Sequence, residues 1–229
     1  MSEAVRSMFA GISKRYDLMN TVITLGMHHA WRRRAVGLSS VRAGDRVLDV
    51  ASGTGDFALE FAEKVGKGGH VTATDFCKEM LDYLPPKINT ARHAISIEIA
   101  DAMHLPYPSA SFDVVSIAYG IRNVDDPNIA LSEMVRVLKP GGRLVVIETG
   151  QPGGLMKVLY EMFRRIIPIA GKLIAGNSDA YSYLPRTASQ FPYGSEFVRM
   201  MRNQPAVREA VAYPLFFGVS YIYVATVKG

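Results

Sequence analysis

Arg46-Val-Leu-Asp-Val-Ala-Ser-Gly-Thr-Gly-Asp-Phe-Ala58 decides how the rest of the chain is read. Val47, Leu48 and Val50 make a short apolar run of strand character, and Ser52-Gly53-Thr54-Gly55 makes a tight turn of small residues. Phe57, Ala58, Phe61, Ala62 and Val65 then repeat at helical spacing. Strand, glycine turn and helix in that order bring backbone N–H groups and a helix start to one point, where a ligand can touch the main chain.

The kind of ligand is set by the charges around the turn. Gly53-x-Gly55-x-x-Ala58 fits the glycine pattern of dinucleotide enzymes, with Asp75 at the spacing of their ribose-binding acid. Asp49 inside the strand and Asp56 after the second glycine point elsewhere, because a pyrophosphate wants a bare helix N-terminus. Acids at the turn favour a cation. A sulfonium is one, and an acid-bearing strand, a glycine turn and an acid closing the second strand are the pattern of S-adenosylmethionine (SAM) methyltransferases.

Outward from this stretch the chain alternates strand and helix, predicting an α/β fold with a doubly wound, mostly parallel sheet. His70 to Thr74 reads as strand two ending at Asp75, Lys78 to Leu84 as a helix stopped by Pro85-Pro86, and Ile95 to Ala100 as strand three ending at Asp101. Phe112 to Ala118 is strand four, and Asp126-Pro127 opens a helix running through Leu138. Pro140-Gly-Gly142 leads into strand five, Arg143 to Thr149. Val211 to Val219 and Ser220 to Val227 read as an antiparallel pair closing the sheet, which separates a methyltransferase sheet from a dinucleotide one. Ligands bind beyond the carboxyl ends of such strands, so Asp75 is placed for two ribose hydroxyls and Asp101 for an adenine amine, with the Ala102 N–H toward the ring.

Four segments follow: a helical arm over 1–40, a SAM-binding Rossmann-like core over 41–150, a helical cap over 151–195, and a closing helix and strand pair over 196–229. The arm carries Val5, Met8, Phe9, Ile12, Tyr16 and Met19 on one helical stripe. The cap places Leu155, Val158, Leu159, Met162, Phe163, Ile166 and Ile167 on another, interleaved with Lys157, Arg164, Arg165 and Lys172.

With 229 residues, 48% of them hydrophobic, the chain supports one sizeable core with an appendage. The single cysteine, Cys77, excludes an internal disulfide framework and points to a reduced, cytoplasmic setting. No signal-peptide layout opens the chain, and Pro214 to Val227 is too short for a membrane span. The net charge of +5 divides into +4 over residues 1–40, −4 over 41–150 and +5 over 151–229. An acidic core suits a cationic cofactor, and basic flanks suit an anionic partner, a phospholipid surface more than nucleic acid. Simple solubility explains the flanks equally well.

Several motifs are specific enough to carry a family resemblance: Tyr16-Asp-Leu-Met-Asn20, Gly26-Met-His28 with Trp31-Arg32, Val47 to Asp56, Leu105-Pro106, Ser111-Phe-Asp113, Gly120-Ile-Arg-Asn123 and Arg136-Val-Leu-Lys-Pro-Gly-Gly-Arg143. From about Phe9 to Pro192 the chain resembles the ubiquinone/menaquinone-biosynthesis C-methyltransferases, the UbiE/MenG group. The resemblance implies a class I methyltransferase fold and methyl transfer from SAM to a ring carbon of a prenylated quinol, either demethylmenaquinol or a ubiquinol precursor. It carries family cofactor contacts onto Thr54, Asp75, Asp101 and Ala102. With the turn and strand ends, the cofactor set becomes Asp49, Ser52, Gly53, Thr54, Gly55, Asp75, Phe76, Asp101, Ala102 and Ala118, with no metal. Departures fall in the substrate half: Glu148-Thr149-Gly150 stands for the family's Glu-Phe-Ser, and Arg186 stands where the family has an acid.

Ring methylation needs an acceptor made nucleophilic by ionising its hydroxyl, hence a base or a positive group beside it. The candidates are His28 or Asp17 as proton relay and Arg122 with Asn123 and Tyr119 around the oxygen. Arg122 pairing with Asp125 or Asp126, and Asn123 capping a turn, are the structural alternatives. A peripheral membrane contact and a prenylated quinol are the partners implied, nucleic acid is not, and a homo-oligomer is left open. Two further functions stay in play: an accessory protein that binds SAM or quinone without catalysis, separable by a methyl-transfer assay, and an NAD-linked oxidoreductase, separable by thermal shift with SAM against NAD.

Overall fold

The computed structural model describes residues 3–89, 92, 94–154, 157, 158, 160, 162, 183 and 187–229. Its centre is a seven-stranded sheet in the order β3-β2-β1-β4-β5-β7-β6, made of β1 (Arg46–Val50), β2 (His70–Asp75), β3 (Ile95–Ile99), β4 (Phe112–Ala118), β5 (Leu138–Thr149), β6 (Val207–Leu215) and β7 (Ser220–Val227). The first five run parallel, and β7 lies antiparallel between β5 and β6. The α/β reading and the closing antiparallel pair are both present.

Alternation along the strands divides the core into two layers. Leu48, Val50, Val115, Ile117, Leu144 and Val146 face one side, covered by α6 (Pro127–Arg136) and α7 (Ser195–Arg202). Val47, Val114, Val145 and Ile147 face the other, covered by α3 (Met27–Leu38) and α4 (Asp56–Val65). The helical stripe read from the sequence is the buried face of α4: Phe57, Ala58, Phe61, Ala62 and Val65. Each of its larger side chains contributes roughly 2 kcal/mol by leaving water. Asp126 caps α6 by accepting from the Asn128 N–H at 2.8 Å and the Ile129 N–H at 3.3 Å, with Pro127 in the first turn.

Several boundaries move. The amphipathic arm is two helices, α1 (Glu3–Ile12) and α2 (Tyr16–Thr24), split by a 3₁₀ turn over Ser13–Arg15. The stripe survives the break because Ile12 and Met19 are both buried and pack with Met8, Phe9 and Tyr16. α6 stops at Arg136 and β5 starts at Leu138, taking the Pro-Gly-Gly segment into a strand that shifts register between Phe112 and Val114 of its neighbour. α5 is only Lys78–Leu81, with a separate 3₁₀ turn over Pro85–Lys87. β6 begins at Val207, and its tight connection to β7 is a 3₁₀ turn with Phe216 and Phe217 both at positive φ. The expected cap over 151–195 lies largely outside the described residues.

Candidate functional site

The loops after β1, β2, β3 and β4 open on one edge of the sheet. The first turn is built by hydrogen bonds of its own: Ser52 N–H to Thr74 O at 2.8 Å, Gly55 N–H to Ser52 O at 2.9 Å, and Ser52 Oγ to Asp49 O at 2.8 Å. Gly55 caps α4 at φ 84°, and a Cβ there would collide with the Leu84 side chain, so both conformation and space demand glycine.

Asp75 closes β2 with both oxygens aimed back at backbone: Oδ2 accepts from Gly53 N–H and Oδ1 from Cys77 N–H, each at 2.8 Å. One lone pair on each oxygen stays available for a hydroxyl pair. Burial pushes the Asp75 carboxyl up to about 6, against the backbone donors that favour its charge. Asp49 is buried on β1, with Oδ1 accepting from Ser116 Oγ at 2.6 Å and Oδ2 unpartnered. Burial pushes it up to about 6 as well. Asp101 accepts the Met103 N–H at 3.0 Å, closing the loop that carries buried Ala102. Phe76 and Ala118 follow β2 and end β4 beside the same edge.

Asp56 has a different role from the one its position in the sequence suggests. Arg32 reaches its Oδ2 at 2.9 Å and Lys87 its Oδ1 at 2.8 Å. Although burial opposes its charge, Arg32 and Lys87 hold the Asp56 carboxyl below the ordinary range. Its charge is therefore already matched, whereas neither Asp49 nor Asp75 makes an ion pair with a described residue. Lys87 also binds Asp17 Oδ2 at 2.7 Å and Thr54 O at 3.1 Å, while Thr54 Oγ1 donates to Asp17 Oδ1. Asp17 thus ties α2 to the glycine turn. His28 is buried, shares a 2.6 Å hydrogen bond between its Nδ1 and Thr24 Oγ1, and is pushed down to about 4 by burial and then by Arg32. The Nδ1 or Nε2 of His28 and His29 and an Asp56 oxygen lie within 4.8 Å of one another, yet Arg32 and Lys87 on the same carboxylate oppose a cation there.

A second polar cluster is assembled after β4 and β5. Tyr119 stands at φ 56°, and Gly120 follows it where a Cβ would come within 2.6 Å of the Ala51 methyl. Arg122 pairs neither with Asp125 nor with Asp126: its guanidinium binds Glu148 Oε1 at 2.5 Å, both side chains almost fully buried. Asn123 donates through Nδ2 to Tyr119 O at 3.2 Å, which makes the turn-capping alternative half right, since its Oδ1 stays unpartnered. The Tyr119 hydroxyl lies 3.1 Å from Ser220 Oγ, and burial pushes it up to about 12.

Among the described residues, the buried side-chain atoms without a hydrogen-bond partner are Arg32 Nε, Asp49 Oδ2, Arg122 Nε, Asn123 Oδ1 and Glu148 Oε2. Buried polar groups are almost always satisfied, and here the exceptions gather around one strand edge. That edge fits SAM: an unpaired carboxylate oxygen for its ammonium, a paired-oxygen acid for its ribose and a glycine turn for close backbone approach. Lys87 was not singled out from the sequence, and Arg32 and Glu148 were quoted there only within motifs, without a role in the site. For Glu148 a signal existed, an acid closing an apolar run as Asp49 does; Lys87 reaches the turn only through tertiary packing.

A family model described as the ubiE/COQ5 methyltransferase family matches residues 1–227. The chain belongs to the ubiE/COQ5 methyltransferase family. It is a SAM-dependent methyltransferase. It is 43% identical over 228 residues to "Ubiquinone/menaquinone biosynthesis C-methyltransferase UbiE" of Bdellovibrio bacteriovorus, covering 99% of this chain and 97% of that one. It is 42% identical over 220 residues to "Demethylmenaquinone methyltransferase" of Thermus thermophilus, covering 95% and 98%. The fold is shared with SAM-dependent methyltransferases from Thermotoga maritima (TM-score 0.67, 18% identity, 97% and 99% covered) and Aquifex aeolicus (TM-score 0.63, 18% identity, 86% and 89% covered).

Proposed function

We propose that this C-methyltransferase of menaquinone and ubiquinone biosynthesis acts on demethylmenaquinol, methylating a ring carbon next to a hydroxyl. The prenylated-quinol substrate class follows from the family, and several relatives bear the name of the menaquinone enzyme. The observation that carries the reading is the gathering of unpaired buried polar atoms at one edge, divided between a donor half and an acceptor half. SAM, when bound, supplies an electrophilic methyl group on a sulfonium. Asp49 and Asp75 hold its ammonium and ribose, with Ser52 to Gly55 along its backbone contacts and Asp101 with Ala102 at the adenine. Arg122 and Asn123 orient the acceptor oxygen and favour its ionised form. Asp17 serves as a tie between arm and turn, a role supported by its bonds to Thr54 and Lys87, and His28 as a neutral packing group beside Arg32.

A prenylated quinol resides in the bilayer, so the enzyme works as a peripheral protein at an anionic membrane surface. Among the described residues no helix is long and apolar enough to cross a membrane. Exposed Leu18 and Val22 on α2, Leu25 at its C-terminal end, Val158 and Met162 within the 151–195 segment, and Phe216 and Phe217 at the β6–β7 turn supply apolar contact next to basic flanks. The deciding experiment offers radiolabelled SAM with demethylmenaquinol and, separately, a ubiquinol precursor lacking the corresponding ring methyl. Label in the menaquinol product alone is expected; label only in the ubiquinol product overturns the substrate assignment. Pelleting with anionic liposomes, released as salt rises, checks the membrane contact, and equal partitioning onto neutral vesicles counts against it.

A further inference from the structure

The acceptor has to lose its hydroxyl proton, and the titratable groups first considered for that task are committed elsewhere. Asp17 is bound to Lys87 and Thr54, and His28 is pushed down to about 4 with Nδ1 engaged by Thr24. Ser220 Oγ donates to Glu148 O at 2.8 Å, so the Tyr119 hydroxyl spends its own proton on Ser220. Burial keeps that phenol protonated, up to about 12. Arg122 has no acceptor to offer, and an amide such as Asn123 is no base.

Among the described residues one carboxylate on the acceptor side keeps a buried unpaired oxygen. Glu148 is fully buried at the end of β5, and its Oε1 is crowded by Arg122, the Thr149 N–H at 2.6 Å and Thr149 Oγ1 at 3.0 Å. Its Oε2 has no partner, nor have Arg122 Nε and Asn123 Oδ1 on the turn beside it. Strand alternation puts Glu148 on the face of Leu144 and Val146, whereas Asp49 follows Val47 on the opposite face, with the cofactor turn. Among the described residues, the other charged and titratable groups facing Glu148 are Tyr119 from the β4 loop and Tyr221 and Tyr223 from β7.

We infer that Glu148 is the general base of the reaction, taking the quinol hydroxyl proton on Oε2 while Arg122 transfers its pairing from Glu148 to the oxygen left behind. The inference rests on the quinol reading above. The O–H bond breaks, an Oε2–H bond forms, and the electron pair stays on the ring oxygen. Positive charge on Arg122 is matched before the proton transfer by Glu148 and after it by the phenolate, so the ionisation itself leaves no unmatched charge in the buried site. Once the ring carbon has taken the methyl group, its own hydrogen leaves as a proton to water, and Glu148 returns its proton to the oxygen. One proton is released per turnover, and the base is regenerated.

The test measures turnover of demethylmenaquinol at saturating SAM for the unaltered enzyme, E148Q and E148D, with SAM affinity by calorimetry for each. E148Q is expected to lose about 10²–10⁴-fold in turnover at neutral pH, the usual worth of a positioned base, with SAM affinity within twofold. E148D, a shorter carboxylate, recovers at least tenfold of that loss. A merely structural role would not move the pH profile: the rate of E148Q should climb tenfold per unit toward the acceptor's own ionisation, about pH 10 for a phenol, while the unaltered enzyme levels off earlier. A ring-chlorinated acceptor that is already ionised at neutral pH should close the gap between the two to within tenfold. Turnover of E148Q within threefold of the unaltered enzyme, or a gap that the chlorinated acceptor leaves unchanged, overturns the assignment of Glu148 alone. No methyl transfer by the unaltered enzyme to any prenylated quinol overturns the quinol reading, and this inference with it.

Discussion

The two halves of the strand edge are finished to different degrees. On the donor side, at β1 and β2, most hydrogen bonds are closed around the turn: Asp75 is held by two backbone N–H groups, and Asp56, Lys87, Asp17 and Thr54 form one continuous network, with Asp49 Oδ2 and Arg32 Nε left open. On the acceptor side, after β4 and β5, the buried pair Arg122–Glu148 and its neighbour Asn123 retain three unpaired atoms. A satisfied network fixes a shape in advance. An unsatisfied one holds free energy in reserve, recovered only when a polar ligand completes it. The contrast matches the chemistry: the donor needs placement, and the acceptor needs its charge distribution changed during the reaction.

Replacing Arg122 with Met should break this contrast most severely. It leaves Glu148 buried without its counter-ion and the phenolate without a positive neighbour, and turnover should fall by roughly 10²–10³-fold with SAM affinity within twofold. Steady-state kinetics together with calorimetry separate the two quantities, and unchanged turnover would remove Arg122 from the mechanism.

Asp75→Asn tests the donor side in the opposite sense. Losing the charge that faces two hydroxyls should weaken SAM by about 2 kcal/mol, some 30-fold, while turnover at saturation holds within a few fold. Equal losses in affinity and turnover would show that the two halves do not work separately.

A third expectation concerns pH. Asp49 and Asp75 sit at about 6 in the free protein, above the ordinary 3.8, so the protonated forms are favoured by folding. The unliganded protein therefore loses stability as pH rises from about 4 to 6 and is flat above that window. On the proposed assignment SAM binds both carboxylates ionised, so its affinity should rise as they titrate, about tenfold between pH 5 and pH 7 for one such group. Calorimetry at the two pH values checks this, and Asp49→Asn should remove its share of the slope.

The smallest effect is expected at Lys87. Its replacement by Met removes two ion pairs that are partly exposed and leaves Arg32 on Asp56, costing about 1 kcal/mol of stability and a few degrees of melting temperature. Thermal unfolding reads it directly.

Legibility from the sequence follows the same division. The donor side could be read because its chemistry is local: an acid in an apolar run, a small-residue turn and a helical stripe fall within Arg46 to Val65. Asp75 and Asp101 were reached by counting strand ends. The acceptor side was harder, since Gly120-Ile-Arg-Asn123 carries its motif but not its partner, and Glu148 lies 26 residues from Arg122. Asp56 shows the limit within the readable half. Its position beside the turn suggested a ligand contact, whereas Arg32 and Lys87, brought in from α3 and the Pro-Pro turn, had already claimed it. Helix ends misplaced by two or three residues at Leu84 and Leu138 reflect short-range competition between proline, bulge and ladder hydrogen bonds.

The close approach of Gly120 to Ala51 bears on how precisely the two substrates can be aligned. With the loop after β1 resting main chain to side chain on the loop after β4, the proposed placement of the two substrates makes the separation of methyl donor and ring carbon follow from the spacing of two neighbouring strands. Registration of the reactants is then a property of the rigid frame, and any bulk added at that seam would be felt as a misfire of the reaction before it was felt as a loss of either ligand.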